Sequence, residues 1–487
     1  MHEPGQPHPM TRYQALADDI EASIRTGVLR PGDRLPSVRR TCEARGVSAS
    51  TVFQAYYLLE ARGLVRARER SGYYVSAGAG QRPASVLRPM QPQETSIAVD
   101  VSEYVFEVLQ ASMTPGVVAF GAAFPSPRLF PLARLGQSLA ASAQALGRWS
   151  SVDDFTPGNP ALRRQIALRY LADGLQVPAE EIIVTNGALE ALNLCLAAVT
   201  RPGDRVVVES PTFYGALQAL ARRGLQAVEI PTEAREGVDL AALEHAIVRH
   251  RPAACWLMTS FQNPLGSLMP DAKKQALVGL LAHYGVPLIE DDVYAELYFG
   301  DKRPLPAKAF DRTGSVLHCG SFSKCLAPGY RLGWAAPGRF AKAVARHKLT
   351  STLGSSAPMQ LALADYLQQG GFDKHLRRLR QTLASRQARC VQAVTAFFPP
   401  GTRMTQPLGG YFVWVELPPG VDVLQLHRQA LEHGISIAPG PIFSASGGFP
   451  QGMRLNYGQE WTEHTETALA TLGQLAHRLL PQVESGL

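Results

Sequence analysis

Cysteine is scarce in this chain: six residues in 487, namely Cys42, Cys195, Cys255, Cys319, Cys325 and Cys390, with no Cys-x-x-Cys pair. That distribution excludes a disulfide-stapled secreted scaffold and a zinc module, and it reads as a set of reduced thiols with no metal site. Long apolar runs are also missing. No stretch approaches the roughly 18 uninterrupted apolar residues of a membrane span, and the opening MHEPGQPHPMTRYQ lacks the basic start and apolar run of a secretory signal. A cytoplasmic protein with no membrane contact is expected. No internal repeat is present, which excludes a solenoid or an array.

What is present is a chain about three times the length of a typical domain, with 46% hydrophobic and 18% charged residues. Two to four folding units are expected, because the apolar fraction is far above that of disordered chains. The 48 Lys and Arg against 41 Asp and Glu leave a net charge of +7, which permits a polyanionic partner without demanding one. Where that excess sits decides its meaning.

Residues 12–75 carry three helical patterns and a basic hairpin. Residues 77–97 then turn to Ala, Gly, Pro and Gln, which is linker chemistry. Val99 to Ser112 has helical spacing and starts the next unit, followed by a Pro- and Phe-rich loop from Gly121 to Pro131. From Ala161 onward helical segments alternate with short apolar runs: Ile182 to Val184, Arg205 to Val208, Cys255 to Met258, Val286 to Glu290 and Ser315 to His318. That rhythm predicts parallel βα units of an α/β fold, in which ligands bind beyond the carboxyl ends of the strands.

In the first unit the spacing predicts an amphipathic helix from Tyr13 to Gly27, and a second helix capped by Ser37 and ending near Gly46. A third runs from Ser48 through Val52, Ala55, Leu58 and Leu59 to Gly63. Two helices joined by a tight Gly-containing turn place the second in a DNA major groove. The hairpin from Leu64 to Val75, with Arg at alternate positions, predicts a wing. Nine Arg between Arg30 and Arg70 face only Asp33, Glu43, Glu60 and Glu69, so most of the positive excess could belong to this module. Charge alone favours a solvated helix face; order and spacing reverse that reading. Leu35 to Arg39, Val47 to Val52, Leu59 to Val65 and Gly72 to Val75 together resemble the winged helix-turn-helix of the GntR regulator family. The resemblance implies that Arg39, Ser48, Ser50, Thr51 and Gln54 face DNA, with Arg68, Arg70 and Gly72 on the wing. Ala49 departs from the Arg that many members carry there, so the base sequence read differs accordingly.

A second constellation spans residues 185 to 454. Gly320-Ser321-Phe322-Ser323-Lys324 ends a strand and presents an amine beside hydroxyls, with Arg331 seven positions on; a lysine can form an imine and an arginine can clamp a phosphate. Asp291 and Tyr294 lie three apart at the end of a buried strand, an acid and a phenol suited to a heteroaromatic ring. Thr185-Asn186-Gly187-Ala188 opens a helix, where free N–H groups favour phosphate. Phe213 can stack on a planar ring, and Asn263 supplies a strand-end amide. In this order the set resembles fold-type I aminotransferases, from about residue 117 to the C-terminus. The resemblance implies pyridoxal 5'-phosphate as cofactor: Lys324 takes the internal aldimine, Asp291 the pyridine nitrogen, Tyr294 and Asn263 the ring hydroxyl, and Phe213 the stacking face. Ser321, Ser323, Arg331 and the Gly187-Ala188 backbone take the phosphate, and Arg454 a substrate or effector carboxylate. Gly409 to Trp414 matches a strand of the smaller domain. At the position where many members carry a phosphate-reaching Tyr, this chain aligns Asp153.

A reader, a linker and such a body in one chain resemble MocR-type regulators, closest to the YdcR-like branch. The implied fold class is α/β: a winged helix-turn-helix over residues 1–76, a linker over 77–115 and a fold-type I body over 116–487. That body divides into a large domain with a mainly parallel seven-stranded sheet, about 150–340, and a smaller α+β domain, about 345–487. The implied function is a pyridoxal-phosphate-dependent transcription regulator, a homodimer that binds double-stranded DNA at paired half-sites and senses the cofactor or a small amino compound through Lys324. It would associate with the nucleoid when DNA-bound. The alternative is a catalytically active aminotransferase with an accessory DNA-binding module.

Overall fold

Ser37 and Ser48 each sit in extended backbone and turn a side chain onto the first free amides of a helix, accepting from the N–H groups of Arg40 and Thr51. These caps set the N-terminal unit of the computed structural model, which describes residues 11–68, 72–76, 84–85, 102–145 and 157–481. Helix α1 (Arg12–Arg25) buries Leu16, Ala17, Ile20 and Ile24. Helix α2 (Val38–Arg45) ends at Gly46, whose φ of 62° is the left-handed stop that glycine adopts without strain. Helix α3 (Ala49–Ala61) buries Val52, Ala55, Tyr56 and Leu59 against them. The Tyr56 hydroxyl donates to the Pro36 carbonyl and bonds the buried Thr41 Oγ1, both at 2.7 Å, so the polar groups of this core are partnered. Strands β1 (Val65–Arg68) and β2 (Gly72–Val75) pair antiparallel, with Arg68 opposite Gly72.

The body is built on one large sheet. Its strand order is Ile183–Thr185, Gly333–Ala336, Val316–Ser321, Leu288–Asp291, Ala254–Leu257, Arg205–Ser210 and Gln226–Glu233. All run parallel except Gly333–Ala336, which is antiparallel to both neighbours. The two-residue strand Gly237–Val238 folds back on the far edge as an eighth member beyond the seven expected from resemblance. The five buried runs named from the sequence are five of these strands, with ends shifted by up to three residues, because both faces are covered and no alternation marks a boundary; Gln226–Glu233 and Gly333–Ala336 are further strands. A second, smaller sheet joins Phe412–Glu416 to Gly452–Asn456, flanked by Arg403–Met404 on one side and Ala438–Pro439 on the other.

Among its described residues, the stretch from 77 to 115 holds structure at two places. Ala84–Ser85 adds a parallel strand beside Arg403–Met404, and helix α4 (Ser102–Met113) packs Val105 and Val108 into the core of the large domain. The reader meets the body through thin polar contacts: Gln392 Nε2 donates to the Arg62 carbonyl at 3.5 Å, and Arg66 lies 3.8 Å from Glu466. Among the described residues no helix is long and apolar enough to cross a membrane.

Candidate functional site

The parallel strands deliver their functional side chains at their carboxyl ends, into a cavity of about 240 Å3. Its walls include Ala188, Phe213, Asn263, Asp291, Tyr294, Ser321, Ser323, Lys324 and Arg331, nine residues marked in the sequence across 144 positions of chain. Asp291 closes the Leu288–Asp291 strand and is buried; its Oδ1 has no hydrogen-bond partner among the described residues. Burial, and next the negative charge of Asp292, raise its carboxyl to about 7, against the opposing Val293 amide and Lys324. Lys324 lies just beyond the Val316–Ser321 strand, and burial, then the cations Arg454 and Arg331, lower its amine to about 7. An amine so placed is partly neutral, and so nucleophilic, near neutral pH.

Arg331 adopts a positive φ of 52°, which turns its side chain back over the start of helix Ala188–Val199. A methyl group on Gly187 would come within 2.5 Å of Arg331 Nη2, so the glycine leaves room for the guanidinium. Arg331 Nη1 also reaches Ser323 Oγ at 3.4 Å, and the Ser323 amide donates to Ser321 Oγ at 3.0 Å. A guanidinium at a helix N-terminus is favourable when an anion sits between them, because both ends carry positive charge. The unpaired Asp291 Oδ1, the unpaired Asn263 Nδ2 and this anion cradle fit a phosphorylated pyridine aldehyde. Tyr294, buried and 5.5 Å from Tyr411 between ring centroids, brings its phenol to the same cavity.

Arg454 is placed differently. It is fully buried behind Asn263, donating from Nη1 to Asn263 Oδ1 at 2.8 Å and from Nη2 to the Gly121 carbonyl at 2.7 Å, and the Phe412 ring lies 4.2 Å from its Cζ. Its Nε has no hydrogen-bond partner among the described residues, so the guanidinium keeps a free donor for an anion. Other contributors carried no signal in the sequence. Ala123 offers its carbonyl to Lys324 Nζ, Phe124 lies under that amine at 3.8 Å, and Leu109 of α4 closes one wall. The Gly121 to Pro131 loop is visible in the sequence, but not the way its carbonyls face a lysine two hundred residues away.

On the reader, α3 turns Ser50, Phe53, Gln54 and Tyr57 outward and leaves Thr51 half-buried. Ser48 is engaged in capping, with Oγ 2.9 Å from both Ser50 Oγ and Thr51 Oγ1. Arg39 is 91% exposed and bonds Glu43 at 3.1 Å. Gly72, at a φ of 106°, lies over Arg34, a residue the sequence did not single out. Phe53 and Tyr57, 43% and 58% exposed, were not singled out either. The arginines divide in a way that composition hides. Arg62 bonds Asp18 and Glu21 at 2.5 and 2.8 Å and Arg45 bonds Asp19 at 3.0 Å, so two of the nine tie α1 to the other helices. Nothing is described of the Arg68 side chain, and Arg70 and Asp153 lie outside the described residues.

Comparison with known proteins follows the same division. Residues 140–471 match the family model "Aminotransferase class I and II", and residues 12–75 match "Bacterial regulatory proteins, gntR family". The chain is 49% identical to the uncharacterized HTH-type transcriptional regulator YdcR of Escherichia coli, over 97% of this chain and 100% of the relative. It is 33% identical to the 2-aminoadipate transaminase of Thermus thermophilus, over 77% of this chain and 94% of that enzyme. Among solved structures it is similar to LysN, the alpha-aminoadipate aminotransferase of Thermus thermophilus complexed with N-(5'-phosphopyridoxyl)-L-leucine. That likeness has a TM-score of 0.71 at 31% identity, covering 78% of this chain and 95% of the other.

Proposed function

This chain belongs to the class I and II aminotransferase family and joins that body to a GntR-type reader, and from that premise we propose that it is a pyridoxal-phosphate-dependent, DNA-binding transcription regulator of the MocR type. The observation that carries the proposal is the coexistence of an outward-facing recognition helix with a cavity that gathers an amine, an unpaired acid and an anion cradle. When bound, pyridoxal phosphate supplies an aldehyde that condenses with amines and a ring that withdraws electrons. Lys324 offers the amine, Asp291 accepts a proton shared with the ring nitrogen, and Tyr294 and Asn263 hold the ring hydroxyl. Phe213 supplies a stacking face. Ser321, Ser323, Arg331 and the Gly187-Ala188 backbone hold phosphate, with the Gly187 amide itself bonded to the Thr185 carbonyl at 2.9 Å, and Arg454 holds an effector carboxylate.

The signal is pyridoxal phosphate itself or a small amino compound, sensed through Lys324, and its binding shifts the arrangement of two readers in a homodimer. Exposed apolar side chains support an association surface: Tyr104 and Phe106 on α4, and Leu189 beside the phosphate turn, are 51%, 66% and 48% exposed. Paired half-sites on double-stranded DNA follow from two readers related by a two-fold axis. Arg39, Ser48, Ser50, Thr51 and Gln54, with Arg68, Arg70 and Gly72 of the wing, form the DNA face of this reading. A cytoplasmic protein, nucleoid-associated when bound, suits both partners. The domain limits are those given above, with α4 belonging functionally to the body.

The test is binding to the DNA upstream of the protein's own gene, measured by fluorescence anisotropy with and without pyridoxal phosphate. Specific binding that responds to the cofactor is expected; specific binding retained in the Arg39→Ala, Gln54→Ala double variant overturns the reader assignment. The Arg454–Asn263 pair favours a second reading, transamination of an amino acid. Steady turnover with a 2-oxo acid at roughly 1 per second or faster would promote it.

A further inference from the structure

Behind Asp291, on the other side of the strand end, runs a buried chain of polar side chains that no step above uses. Trp334 Nε1 donates to the Tyr170 hydroxyl at 2.9 Å, that hydroxyl lies 2.6 Å from His318 Nδ1, and His318 Nε2 lies 3.0 Å from Asp292 Oδ2. Indole N–H only donates, and an ionised carboxylate only accepts, so the two ends orient the middle. Tyr170 accepts from Trp334 and gives its own hydrogen to His318 Nδ1; His318 carries its proton on Nε2 and gives that bond to Asp292. Four residues, two on strands, one on a helix and Asp292 just past a strand end, thereby point one way, toward the neighbour of Asp291. Asp292 and His318 are almost wholly buried.

A second donor meets the same oxygen. Arg303 Nη2 lies 3.1 Å from Asp292 Oδ2, and its other nitrogens pair with Asp173 at 3.1 Å and Glu296 at 3.4 Å. Burial alone would push the Asp292 carboxyl up, but the His318 bond and the Arg303 charge hold it below its ordinary value. Lys274 adds a more distant positive charge to Asp292, while Glu290 and Lys324 face Asp291. Asp292 is therefore a fixed negative charge one residue from the acid assigned to the cofactor nitrogen. Its backbone is held too, since its amide donates to the Cys319 carbonyl at 3.0 Å.

We propose that Asp292 and His318 are positioning residues for the cofactor: the Trp334–Tyr170–His318–Asp292 chain holds a negative charge beside Asp291 and so strengthens the hold of that site on the ring-nitrogen proton. This rests on the pyridoxal-phosphate reading of the cavity and deepens it. A protonated ring withdraws electrons and makes the amine-linked end of the bound group less basic, so weakening the hold raises the pH at which its visible band changes.

The experiment is a pH titration of the visible absorbance of the purified, cofactor-loaded full-length protein, with cofactor content measured beside it. Asp292→Asn should raise the midpoint by about half a pH unit or more. His318→Leu should raise it as well, whereas His318→Gln, whose amide can donate to Asp292, should restore the wild-type value. Tyr170→Phe, which removes one hydroxyl while keeping the ring, gives a smaller rise and covers the case in which the other variants do not fold. A midpoint unchanged in Asp292→Asn or in Tyr170→Phe, at full cofactor content, overturns the inference. A rise in His318→Gln as large as in His318→Leu assigns the histidine a packing role and overturns its part. If the wild-type protein has no visible band after loading, the cofactor reading fails and the inference falls with it.

Discussion

Lys324 Nζ donates a 2.8 Å hydrogen bond to the carbonyl of Ala123, a residue 201 positions earlier in the chain. The amine expected to meet an aldehyde is thus held by the loop that closes the cavity, with the Phe124 ring 3.8 Å away. To react it must leave that carbonyl and be neutral. Its depressed value of about 7 makes the neutral fraction rise steeply across neutral pH. Cofactor capture, followed by stopped-flow absorbance, should quicken from pH 6 to pH 8 with a midpoint near 7. Lys324→Ala should retain no visible band after desalting; a band retained unchanged removes Lys324 from its role.

Asp291 makes the opposite demand on stability. A carboxyl whose folded value is raised from 3.8 to about 7 binds a proton more tightly in the folded than in the unfolded chain. Its cost to cofactor-free protein is therefore absent at low pH, grows as pH rises from about 4 to about 7, and is fully present above that. Asp291→Asn removes it. Thermal melts of cofactor-free protein at pH 8 should show the variant more stable, by on the order of 2–4 kcal/mol, and near wild type at pH 4. The same variant should bind pyridoxal phosphate at least about tenfold more weakly, because the ring nitrogen loses its charged partner.

Gly187 tests the anion cradle. At a φ of 84° any other residue is strained, and an added Cβ would lie 2.5 Å from Arg331 Nη2. Gly187→Ala should displace the guanidinium and weaken cofactor binding about tenfold or more, read by absorbance titration. Inorganic phosphate should compete with pyridoxal phosphate in the wild type and less so in the variant. Unchanged affinity would remove the Arg331–Gly187 contact from the phosphate site.

Arg39 and Arg62 separate two uses of the same residue type. Arg39 is exposed on α2, whereas Arg62 is taken by Asp18 and Glu21 of α1. Arg39→Ala should lower the slope of log affinity for DNA against log salt by about 1 per reader while leaving the melting temperature unchanged. Arg62→Ala should leave that slope unchanged and destabilise the reader by about 1 kcal/mol, measured on the full chain by its first thermal transition. Equal salt slopes for wild type and Arg39→Ala would remove Arg39 from the phosphate-contacting face.

Several features needed nothing beyond the chain itself. Ser37, Gly46 and Ser48 mark helix ends within four residues of the groups they bond, so capping chemistry can be read directly. The strand ends carrying Asp291 and Ser321 were legible for the same reason: short buried runs stop at polar residues, and in a parallel sheet those stops gather on one side. The linker was less legible, since the two-residue strand Ala84–Ser85 pairs through backbone atoms and leaves no side-chain pattern.

By itself, the sequence determined the two kinds of module, their order, and which residue types wait at each strand end, because those depend on local periodicity and on chemistry a few residues wide. Tertiary structure alone decided which charges are spent and which are free. Arg62 meets Asp18 and Glu21 across 44 and 41 positions, Lys324 meets the Ala123 carbonyl across 201, and Tyr170 meets His318 across 148. Contacts at such separations depend on how helices and strands pack together in three dimensions, and no spacing along the chain encodes them.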